Sequence, residues 1–440
     1  MNTQKNISIV CALVVGLSLT IIACAWATKQ LYEGSERFSE QTSGVISFVA
    51  DLPHRVKDVV SIYVTKFRPL SSTNPYSHLE VDNNQRSNII GFVLNAYVDN
   101  LGASRIALID LKTGTSEEVL VCSKKSGGDT ITDRLKESDR YRHSAASSNY
   151  RASHPLVSDK GVLYYILPWN DLIAIDLKSK TEIWRVTGSF HHSIETDCES
   201  NLWLCAAIEP KIKNSNKNSG QHLQYEDQAL VQISPSGKII ESISVTELIL
   251  NSKLEFLLFG CSNPLKNKDP IHLNHILPIK EDSGILRKGC LLISLRNLST
   301  VMMVDPNNKA VVWHKTGPWM NQHCVIPMNT SEISVLDNHS FPYASRLNWL
   351  RDEWQSRIMV YNLTTGTSKY VETMENLDLR ISGEGRAFNI PGGNWLLEDS
   401  MKGTLLIFRK GRLAFKWSNV YPNKEVGYTS WCRYVETKPF

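Results

Sequence analysis

The chain has 440 residues, of which 42% are hydrophobic and 21% are charged, so it carries enough apolar side chains for a large folded core and is not a disordered polymer. Its net charge of +4 is too small for the dense basic surface of a nucleic-acid-binding protein, and we expect no nucleic-acid partner. A mildly positive chain suits a small anionic substrate.

Residues 7–27 form a charge-free apolar run. As a helix this run would rise about 31 Å, the thickness of a hydrocarbon core, and it predicts a membrane segment within residues 1–28. Three interpretations remain open: a retained signal anchor, a signal peptide cleaved after Ala27, and a lipoprotein acylated at Cys24. Each predicts that the rest of the chain lies outside the cytoplasm, in a periplasmic, extracellular or lumenal space.

Residues 29–80 combine charged residues with apolar positions at roughly helical spacing, such as Val45, Phe48 and Val49. Pro53 interrupts the pattern. We predict a short helical stalk between the membrane segment and a domain over residues 81–440. The alternative is an amphipathic helix that binds a partner.

The nine cysteines form no CxxC pair, so the sequence does not predict a zinc or redox motif. Cys198 and Cys205 are close enough in sequence to form a disulfide in an exported domain. Unpaired buried cysteines are the equally open alternative.

From about residue 89, short β-type runs alternate with turn clusters to the end of the chain. Six copies of one pattern occur, in which an apolar run ends in a polar turn and a second run follows. Asp or Asn begins most of these turns and Gly or Asn often follows, which is typical of hairpins. The six first runs are 106–110, 172–176, 230–234, 301–305, 358–362 and 405–409.

Each copy supplies a hairpin and an earlier inner strand to a four-stranded blade with variable loops. Six blades closing into a ring predict an all-β, six-bladed β-propeller, which protects sheet edges by radial repetition. The last run, 428–434, is expected to pair with early strands and close the ring. A β-sandwich or two unrelated β domains are the alternatives, and the polar inserts 124–151 and 211–227 are predicted to be exposed loops.

Histidine or arginine precedes the first strand of the recurring pattern in five copies. Since first strands face the central channel of a propeller, we expect these side chains to converge at one mouth of the channel. Arg296, one strand further on, lies in the run 291–300, which we predict to be a single strand, and it can join them. Six of the 12 histidines fall in these segments. The converging residues are His154, His192, His272 or His275, His323 and Arg386.

Several imidazole and guanidinium groups make a cationic pocket for a compact oxyanion. A neutral histidine can act there as a nucleophile or as a general base. Three histidines can also hold zinc or copper, but no Asp or Glu recurs beside them to orient the rings, so we expect no metal. The chain lacks the phosphate-binding motifs GxxxxGK[ST] and GxGxxG, so it has no recognisable binding site for a nucleotide donor such as phosphoadenosine phosphosulfate, and we expect no cofactor. It also lacks the serine-nucleophile motif GxSxG.

The most specific of these stretches resemble the arylsulfotransferase family, six-bladed propellers that use aryl sulfate esters instead of a nucleotide donor. The likeness covers roughly residues 90–434. The stretches that carry it are 188–195, 269–274, 293–300, 317–323, 384–387 and 431–434.

This resemblance implies a ping-pong sulfuryl transfer from an aryl sulfate to a phenol. It implies that His323 becomes a transient sulfohistidine, that His272 and Arg296 bind sulfuryl oxygens, and that His192 acts as acid or base or completes the pocket. In an extended strand His191 would point the other way from His192, because side chains alternate. The expected substrate-binding residues are His154, His191 and Arg386.

The chain departs from the family pattern at two places. Cys324 follows His323 where the family often has Asp, and Asn329-Thr330-Ser331 replaces an Asn-Gly turn. The main alternative function is a non-catalytic propeller that binds an anionic ligand or a protein partner. A quinone-dependent dehydrogenase is a further alternative, but those proteins resemble eight-bladed rings with a regular tryptophan repeat, which six irregular copies do not supply.

Overall fold

The computed structural model describes residues 76, 79–82, 89–122, 151–167, 170–208, 226–260, 269–340, 355–371, 379–381, 383–422 and 424–440. All of them belong to one compact unit, Pro69–Phe440. The predicted membrane segment and stalk lie outside the described residues, and so do nearly all of the two predicted loops. No helix in the described part of the chain is both long and apolar enough to cross a membrane.

The described residues form an all-β, propeller-like fold with two short α-helices. The strands of its first half are β1 (Phe92–Val98), β2 (Ser104–Asp110), β3 (Ser116–Cys122), β4 (Ser153–Val157), β5 (Val162–Ile166), β6 (Asn170–Asp176), β7 (Thr181–Thr196), β8 (Leu202–Ile208), β9 (Asp227–Ile233) and β10 (Ile239–Ser244). The helices α1 (Val245–Asn251) and α2 (Phe256–Phe259) follow β10.

In the second half of the chain the described residues form strands and two 3-10 turns. The strands are β11 (Leu273–Pro278), β12 (Leu291–Leu295), β13 (Thr300–Asp305), β14 (Ala310–Thr316), β15 (His323–Pro327), β16 (Glu332–Asp337), β17 (Arg357–Asn362), β18 (Ser368–Tyr370), β19 (Gly385–Ile390), β20 (Asn394–Asp399), β21 (Thr404–Arg409), β22 (Arg412–Ser418) and β23 (Arg433–Val435). The turns are Arg296–Leu298 and Ser400–Lys402.

Four sheets have four antiparallel strands each, in the orders β23-β1-β2-β3, β11-β12-β13-β14, β15-β16-β17-β18 and β19-β20-β21-β22. Their third strands β2, β13, β17 and β21 contain four of the six predicted first runs, each paired with the strand that follows it. The hairpin prediction is confirmed for these four copies. Asp110 shows the expected turn chemistry, since its carboxylate accepts hydrogen bonds from the backbone N–H groups of Lys112 and Thr113 at 2.8 and 3.0 Å.

The fifth sheet has seven strands in the order β10-β9-β8-β7-β6-β5-β4. Its central strand β7 is 16 residues long. The first part of β7 pairs mainly with β6, as in Thr181↔Asp176, and the last part pairs with β8, as in Thr196↔Leu202. The predicted runs 172–176 and 230–234 fall on β6 and β9. The all-β, propeller-like prediction is thus confirmed, and the blade count of six stays a prediction.

The C-terminal segment pairs with the first strand of the described domain. In this pairing Val435 lies opposite Phe92 and Arg433 opposite Leu94, and the N–H of Ser430 donates to the carbonyl of Ala96 at 2.8 Å. The prediction that the last run pairs with early strands is confirmed. Chain ends that share one sheet replace two exposed strand edges by a ladder.

The core lies between neighbouring sheets. In one such layer Cys205 of β8 and Met302 of β13 are both fully buried in the same apolar cluster. Helix α1 covers this cluster with Ile249, and the side chain of Ser244 caps the helix by accepting from the N–H of Glu247 at 3.0 Å. Each such apolar side chain contributes about 1.5–3 kcal/mol through burial.

The innermost strands β4, β7, β11, β15 and β19 contact one another in order, and β23 contacts β4. We predicted that the recurring polar residues precede the first strand of each copy. This was wrong, because the runs predicted as first strands each pair with a strand that lies further inside. Most of them lie within the innermost strands, and His272 directly precedes β11. Buried polar residues break the apolar pattern of a strand, so these strands were not recognised as such.

Four of the innermost strands contain a β-bulge near their site residues. The pairing register shifts in β4, β7, β11 and β15. Residues at or beside these shifts adopt positive φ, including His154 (57°), His192 (56°), His272 (52°) and Cys324 (50°). A bulge inserts an extra residue and redirects side chains, which gives these strands a polar cluster on an otherwise apolar fold.

Candidate functional site

His192 lies at the centre of a group of aromatic rings contributed by three inner strands and the C-terminal segment. Its ring centroid is 5.0 Å from that of His272 and 6.4 Å from that of His323. The indole of Trp431 is 5.5 Å from His192 and 5.9 Å from His323. The structure therefore brings together three of the four residues to which the resemblance assigns catalytic roles.

His191 belongs to the same group, which contradicts the expectation that it would point away. Its Nδ1 atom lies 2.7 Å from Nδ1 of His192, and its ring is 4.9 Å from that ring. Because His192 is left-handed and the register shifts after His191, the alternation of an extended strand does not hold here. Burial lowers the pKa of His191 to about 3, and that of His192 falls well below its usual value.

The ring of His323 is held in one tautomer by Asn338. The amide nitrogen of Asn338 donates to the carbonyls of Ile381 and Gly383 at 3.1 and 2.6 Å. Its amide oxygen therefore faces Nδ1 of His323, at 2.7 Å, and can only accept. Nδ1 must carry the proton, which leaves a lone pair on Nε2.

Burial lowers the pKa of His323 to about 3, and the charge of Arg296 lowers it further against the opposing hydrogen bond of Asn338. His323 is only 1% exposed. Its imidazole is consequently neutral at physiological pH. A neutral ring with a directed Nε2 lone pair is the form that attacks an electrophile.

His272 is oriented by a carboxylate three residues earlier. Its Nδ1 is hydrogen-bonded to Asp269, and its backbone N–H donates to the same side chain at 2.9 Å. Burial would raise the pKa of Asp269, but the hydrogen bonds and charge of His272 outweigh it and hold that pKa below its usual value. The expectation that no carboxylate orients these histidines was therefore wrong.

Arg296 follows β12 and begins the 3-10 turn Arg296–Leu298. The sequence predicted one continuous strand over residues 291–300, and the turn divides it into β12 and β13. The backbone N–H of Arg296 donates to the carbonyl of His272 at 2.9 Å, and its guanidinium donates to Asn297 at 2.8 Å. Its charge lowers the pKa of both His192 and His323.

A second polar cluster contains a buried carboxylate between two arginines. Glu195 accepts from Arg433 at 2.8 and 3.0 Å and from Arg386 at 3.3 Å. Burial would raise the pKa of Glu195, but the charges of Arg433 and then Arg386 outweigh it and lower that pKa to about 2. Arg386 also donates to the carbonyl of Cys432 at 3.2 Å, so this cluster ties β19 to β7 and to the C-terminal segment.

Two further histidines adjoin this cluster. Nδ1 of His154 accepts from the N–H of Ile194 at 3.3 Å, and Nδ1 of His275 accepts from the N–H of Val325 at 3.2 Å. Each ring then carries its proton on Nε2, which is buried and has no hydrogen-bond partner among the described residues. Burial lowers the pKa of both, to about 3 for His275.

The predicted substrate-binding residues thus divide between the two clusters. His191 lies with the catalytic candidates. His154 and Arg386 lie with Glu195, and both contact the indole of Trp431, at 5.0 Å between ring centroids and at 5.7 Å from the guanidinium carbon. No group of three His, Cys, Asp or Glu side chains in the described part of the chain could hold a metal ion.

Sequence reasoning missed Asp269, Asn338, Glu195, Arg433 and Trp431 as parts of the site. All but Asn338 lie within stretches that carry the family resemblance, namely residues 188–195, 269–274 and 431–434. They were passed over because the search followed a recurring histidine or arginine. Asn338 lies 15 residues after its partner, and only the pairing of β15 with β16 brings the two together.

The expected cysteine pair does not form. Cys198 is exposed and Cys205 is buried, and all six described cysteines are free thiols. Both cysteines are unpaired, but of the two only Cys205 is buried, as the alternative of unpaired buried cysteines requires. Cys324, which stands where the family often has Asp, is buried and donates to the carbonyl of Ala387 at 3.3 Å.

Comparison with known proteins gives a family match. A model of the arylsulfotransferase (ASST) family matches residues 172–417, more than half of the chain. His192, His272, Arg296, His323 and Arg386 fall inside the match. No curated protein sequence matches the chain significantly.

Several solved structures resemble the fold at low identity. A protein of unknown function from Bacteroides caccae has 10% identity and a TM-score of 0.42, over 77% of this chain and 93% of that one. A streptogramin B lyase has 8% identity and a TM-score of 0.40, over 78% and 95%. A virginiamycin B lyase from Staphylococcus aureus has 9% identity and a TM-score of 0.37, over 78% and 96%. At these TM-scores the likenesses carry no functional argument.

Proposed function

The chain belongs to the arylsulfotransferase family, and from this premise we propose that it moves a sulfuryl group from an aryl sulfate ester to a phenol through a sulfohistidine at His323. The observation that carries the proposal is the fixed tautomer of His323. Asn338 holds the proton on Nδ1, and burial keeps the ring neutral, so Nε2 is ready to attack. A nucleophile oriented by a third group is the usual arrangement in covalent catalysis.

In the first half-reaction the Nε2 lone pair of His323 forms a bond to sulfur, and the bond from sulfur to the aryl oxygen breaks. The phenolate leaves with that electron pair. In the second half-reaction the oxygen of the acceptor phenol attacks sulfur, the N–S bond breaks, and neutral His323 is restored. No atom or electron is left over, and no cofactor enters the balance.

Arg296 and His272 are assigned to the sulfuryl oxygens. The guanidinium is a planar donor fork that matches an oxyanion, and it lies close enough to depress the pKa of His323. The bond from Nδ1–H of His272 to Asp269 fixes that ring, and its Nε2 donates to a sulfuryl oxygen in the imidazolium form. Fixed donors that meet developing charge in a buried site stabilise a transition state strongly.

His192 is assigned to proton transfer. It contacts both His272 and His323, so it lies beside the atoms that gain and lose charge. Its short Nδ1 contact with His191 links the two rings, since one must donate and the other accept. We assign to this pair the proton that the acceptor phenol loses as its oxygen attacks sulfur, and the pair then releases that proton to solvent.

We also propose six blades. Division of the long strand β7 supports this count, because its first part completes a sheet with β4–β6 and its last part begins a sheet with β8–β10. With the four separate sheets this makes six four-stranded units. An experimental structure that showed a different number would overturn the count.

For localisation we propose a β domain outside the cytoplasm, attached through residues 7–27 or released after cleavage. Support comes from the charge-free apolar run alone. Fusion of an alkaline phosphatase that is active only in an exported state tests it. An inactive fusion at normal expression would contradict the proposal.

A burst experiment on the full chain tests the function. A chromogenic aryl sulfate is added with and without phenol, and the intact protein is weighed after the donor alone. We expect a burst of phenolate and a mass gain of one SO₃, both absent in His323→Asn. His314→Asn is the matched control, since His314 lies on the outer strand β14.

Two results would redirect the proposal. Release of phenolate and a retained adduct in His323→Asn would place the nucleophile elsewhere. A folded wild-type protein that binds the aryl sulfate without release or adduct would favour the non-catalytic anion-binding propeller.

A further inference from the structure

Trp431 occupies a position equivalent to two site histidines. In the motif Ser430-Trp431-Cys432 it is left-handed with φ of 59°, as are His154 in β4 and His192 in β7. A non-glycine residue in this conformation costs roughly 1–3 kcal/mol and persists only where its surroundings impose it. Trp431 lies outside the residues matched by the family model, so the match assigns it no role.

The indole of Trp431 fills the space between the two polar clusters. It contacts His192 edge-on at 5.5 Å and His323 at 5.9 Å, and it contacts His154 at 5.0 Å on the side of Glu195. The whole residue is 1% exposed. This ring therefore contacts both the proposed nucleophile and the proposed proton-transfer histidine.

Glu398 holds Trp431 in place. Its carboxylate is fully buried and accepts from the backbone N–H groups of Trp431 at 2.9 Å and Cys432 at 2.7 Å. It also accepts from the hydroxyls of Thr429 at 3.0 Å and Ser400 at 2.9 Å. The bonds from Thr429, Trp431 and Cys432 join the C-terminal segment to β20 and fix the strained backbone at Trp431.

We propose that Trp431 determines the choice between phenol and water by keeping water away from the sulfurylated His323, and that Glu398 is its positioning residue. The inference rests on the proposed sulfohistidine and deepens it. An indole is several times larger than the ~30 Å³ that a water molecule occupies. A void in its place would be lined by the imidazoles of His154, His192 and His323, and polar voids of this size hold water.

Water in that void would stand beside His192 and the sulfur atom. Its oxygen would form the new bond to sulfur, the N–S bond to His323 would break, and the departing proton would pass to His192. The products are sulfate and free enzyme, so the transferase becomes a sulfatase. An intact indole occupies that position, so the sulfur atom is reached only by a phenol that enters from the substrate side.

The lifetime of the adduct tests the proposal. Wild-type protein is loaded with a chromogenic aryl sulfate, the donor is removed, and loss of the SO₃ mass gain is followed without phenol. In Trp431→Ala we expect decay about tenfold faster, which corresponds to about 1.4 kcal/mol. Trp431→Phe keeps a smaller apolar ring at this position, so its rate of adduct decay should lie between those of the wild type and Trp431→Ala.

Glu398→Gln tests the positioning role with the indole still present. An amide offers one acceptor oxygen where two backbone N–H groups now bond to two different oxygens. We expect a shortened adduct lifetime, and a raised ratio of sulfate to sulfated phenol when phenol is added. Trp184→Ala is the control, since that indole lies on the outer part of β7 and bonds to the carbonyl of Pro235, between β9 and β10.

The outcomes separate the two proposals. Equal adduct lifetimes in wild type, Trp431→Phe and Glu398→Gln, with all three folded, would overturn the role of Trp431 and leave the sulfohistidine intact. A change in overall rate without a change in the ratio of sulfate to sulfated phenol would also overturn it, because a merely structural role lowers both products together. No adduct in the wild type would overturn both proposals.

Discussion

Asn338 fixes the tautomer of His323, the nucleophile that we propose. Two backbone carbonyls determine which way its amide points, and the amide then determines which nitrogen of His323 carries the proton. The carbonyls of residues 381 and 383 therefore determine, through the amide of Asn338, that Nε2 of His323 keeps its lone pair. Burial, followed by the charge of Arg296, keeps the pKa of His323 near 3 and the ring neutral.

Asn338→Ala should slow sulfuryl uptake by about tenfold, because the loss of one buried hydrogen bond of about 1–1.5 kcal/mol releases the ring into other tautomers and orientations. The rate of the phenolate burst measures it. Loss of this bond removes a contact that raises the pKa of His323, so the activity should not move to higher pH.

Asn362→Ala is the control for this change, since Asn362 caps a surface turn between β17 and β18. A folded Asn338→Ala variant with an unchanged burst rate would show that the amide does not prepare the nucleophile.

At this scale the sequence predicted which histidines meet but not how they are held. His192, His272 and His323 were found because the same residue type recurs at similar spacing. The direction of His191 was wrong because a bulge is invisible in the residue pattern. Glu195 and Arg433 are 238 positions apart, and a single sequence contains no signal that pairs them.

Hydrogen-bonded turns explain why the elements were easier to predict than the site. Asp110 and Asn362 each bind two backbone N–H groups of their own turn, so the signal is local in sequence. The boundary between β12 and β13 was missed because the turn between them has no Gly or Pro, and Ser299 supplies the left-handed residue. The inner strands were misplaced by one strand because their polar residues serve the site.

Glu195 connects three elements that are far apart in the chain. It lies on β7 and bonds to Arg386 on β19 and Arg433 on β23, with only 10% of its side chain exposed. Glu195→Gln would leave two buried guanidinium groups without a countercharge. We expect the free energy of unfolding to fall by about 3–5 kcal/mol, as is usual when one partner of a buried ion pair is removed.

Urea unfolding of the full chain measures the effect. Glu182→Gln is a matched control, because Glu182 bonds to Arg185 on the outer part of β7, where both side chains are about one-third exposed at 28% and 32%. Such a pair contributes at most about 1 kcal/mol. Equal losses in both variants would mean that the buried network has no special part in joining the strands.

The whole molecule gathers uncharged imidazoles around one centre and covers them with apolar sheets. Histidines 191, 275 and 323 have pKa values of about 3, chiefly through burial, and the pKa values of His154 and His192 are lowered as well. A histidine is ordinarily half-protonated near pH 6.5. Composition and net charge contain no trace of this arrangement, since it depends on which residues the fold brings inside.

Stability should therefore fall as the pH falls. Between about pH 6.5 and pH 3 the unfolded chain binds protons on these five histidines that the folded protein does not, so unfolding is favoured by acid. Glu195 adds to the loss below its ordinary range, because its folded pKa is about 2 and its stabilisation disappears as pH falls towards that value. The half-buried His339 has the opposite effect on stability, since the hydrogen bond to Asp337 raises its pKa. This one group does not offset the five histidines whose pKa values are lowered.

Each proton bound only by the unfolded chain changes the free energy of unfolding by about 1.4 kcal/mol per pH unit, so five histidines predict a loss of several kcal/mol between pH 6.5 and pH 5.5. Urea unfolding at pH 7.5, 6.5 and 5.5 and constant ionic strength measures it. His154→Gln should reduce the slope by about one proton, whatever it does to the stability at pH 7.5. A free energy of unfolding that stays level across this range would mean that the folded protein protonates these rings, and a protonated His323 would have no lone pair on Nε2 with which to attack sulfur.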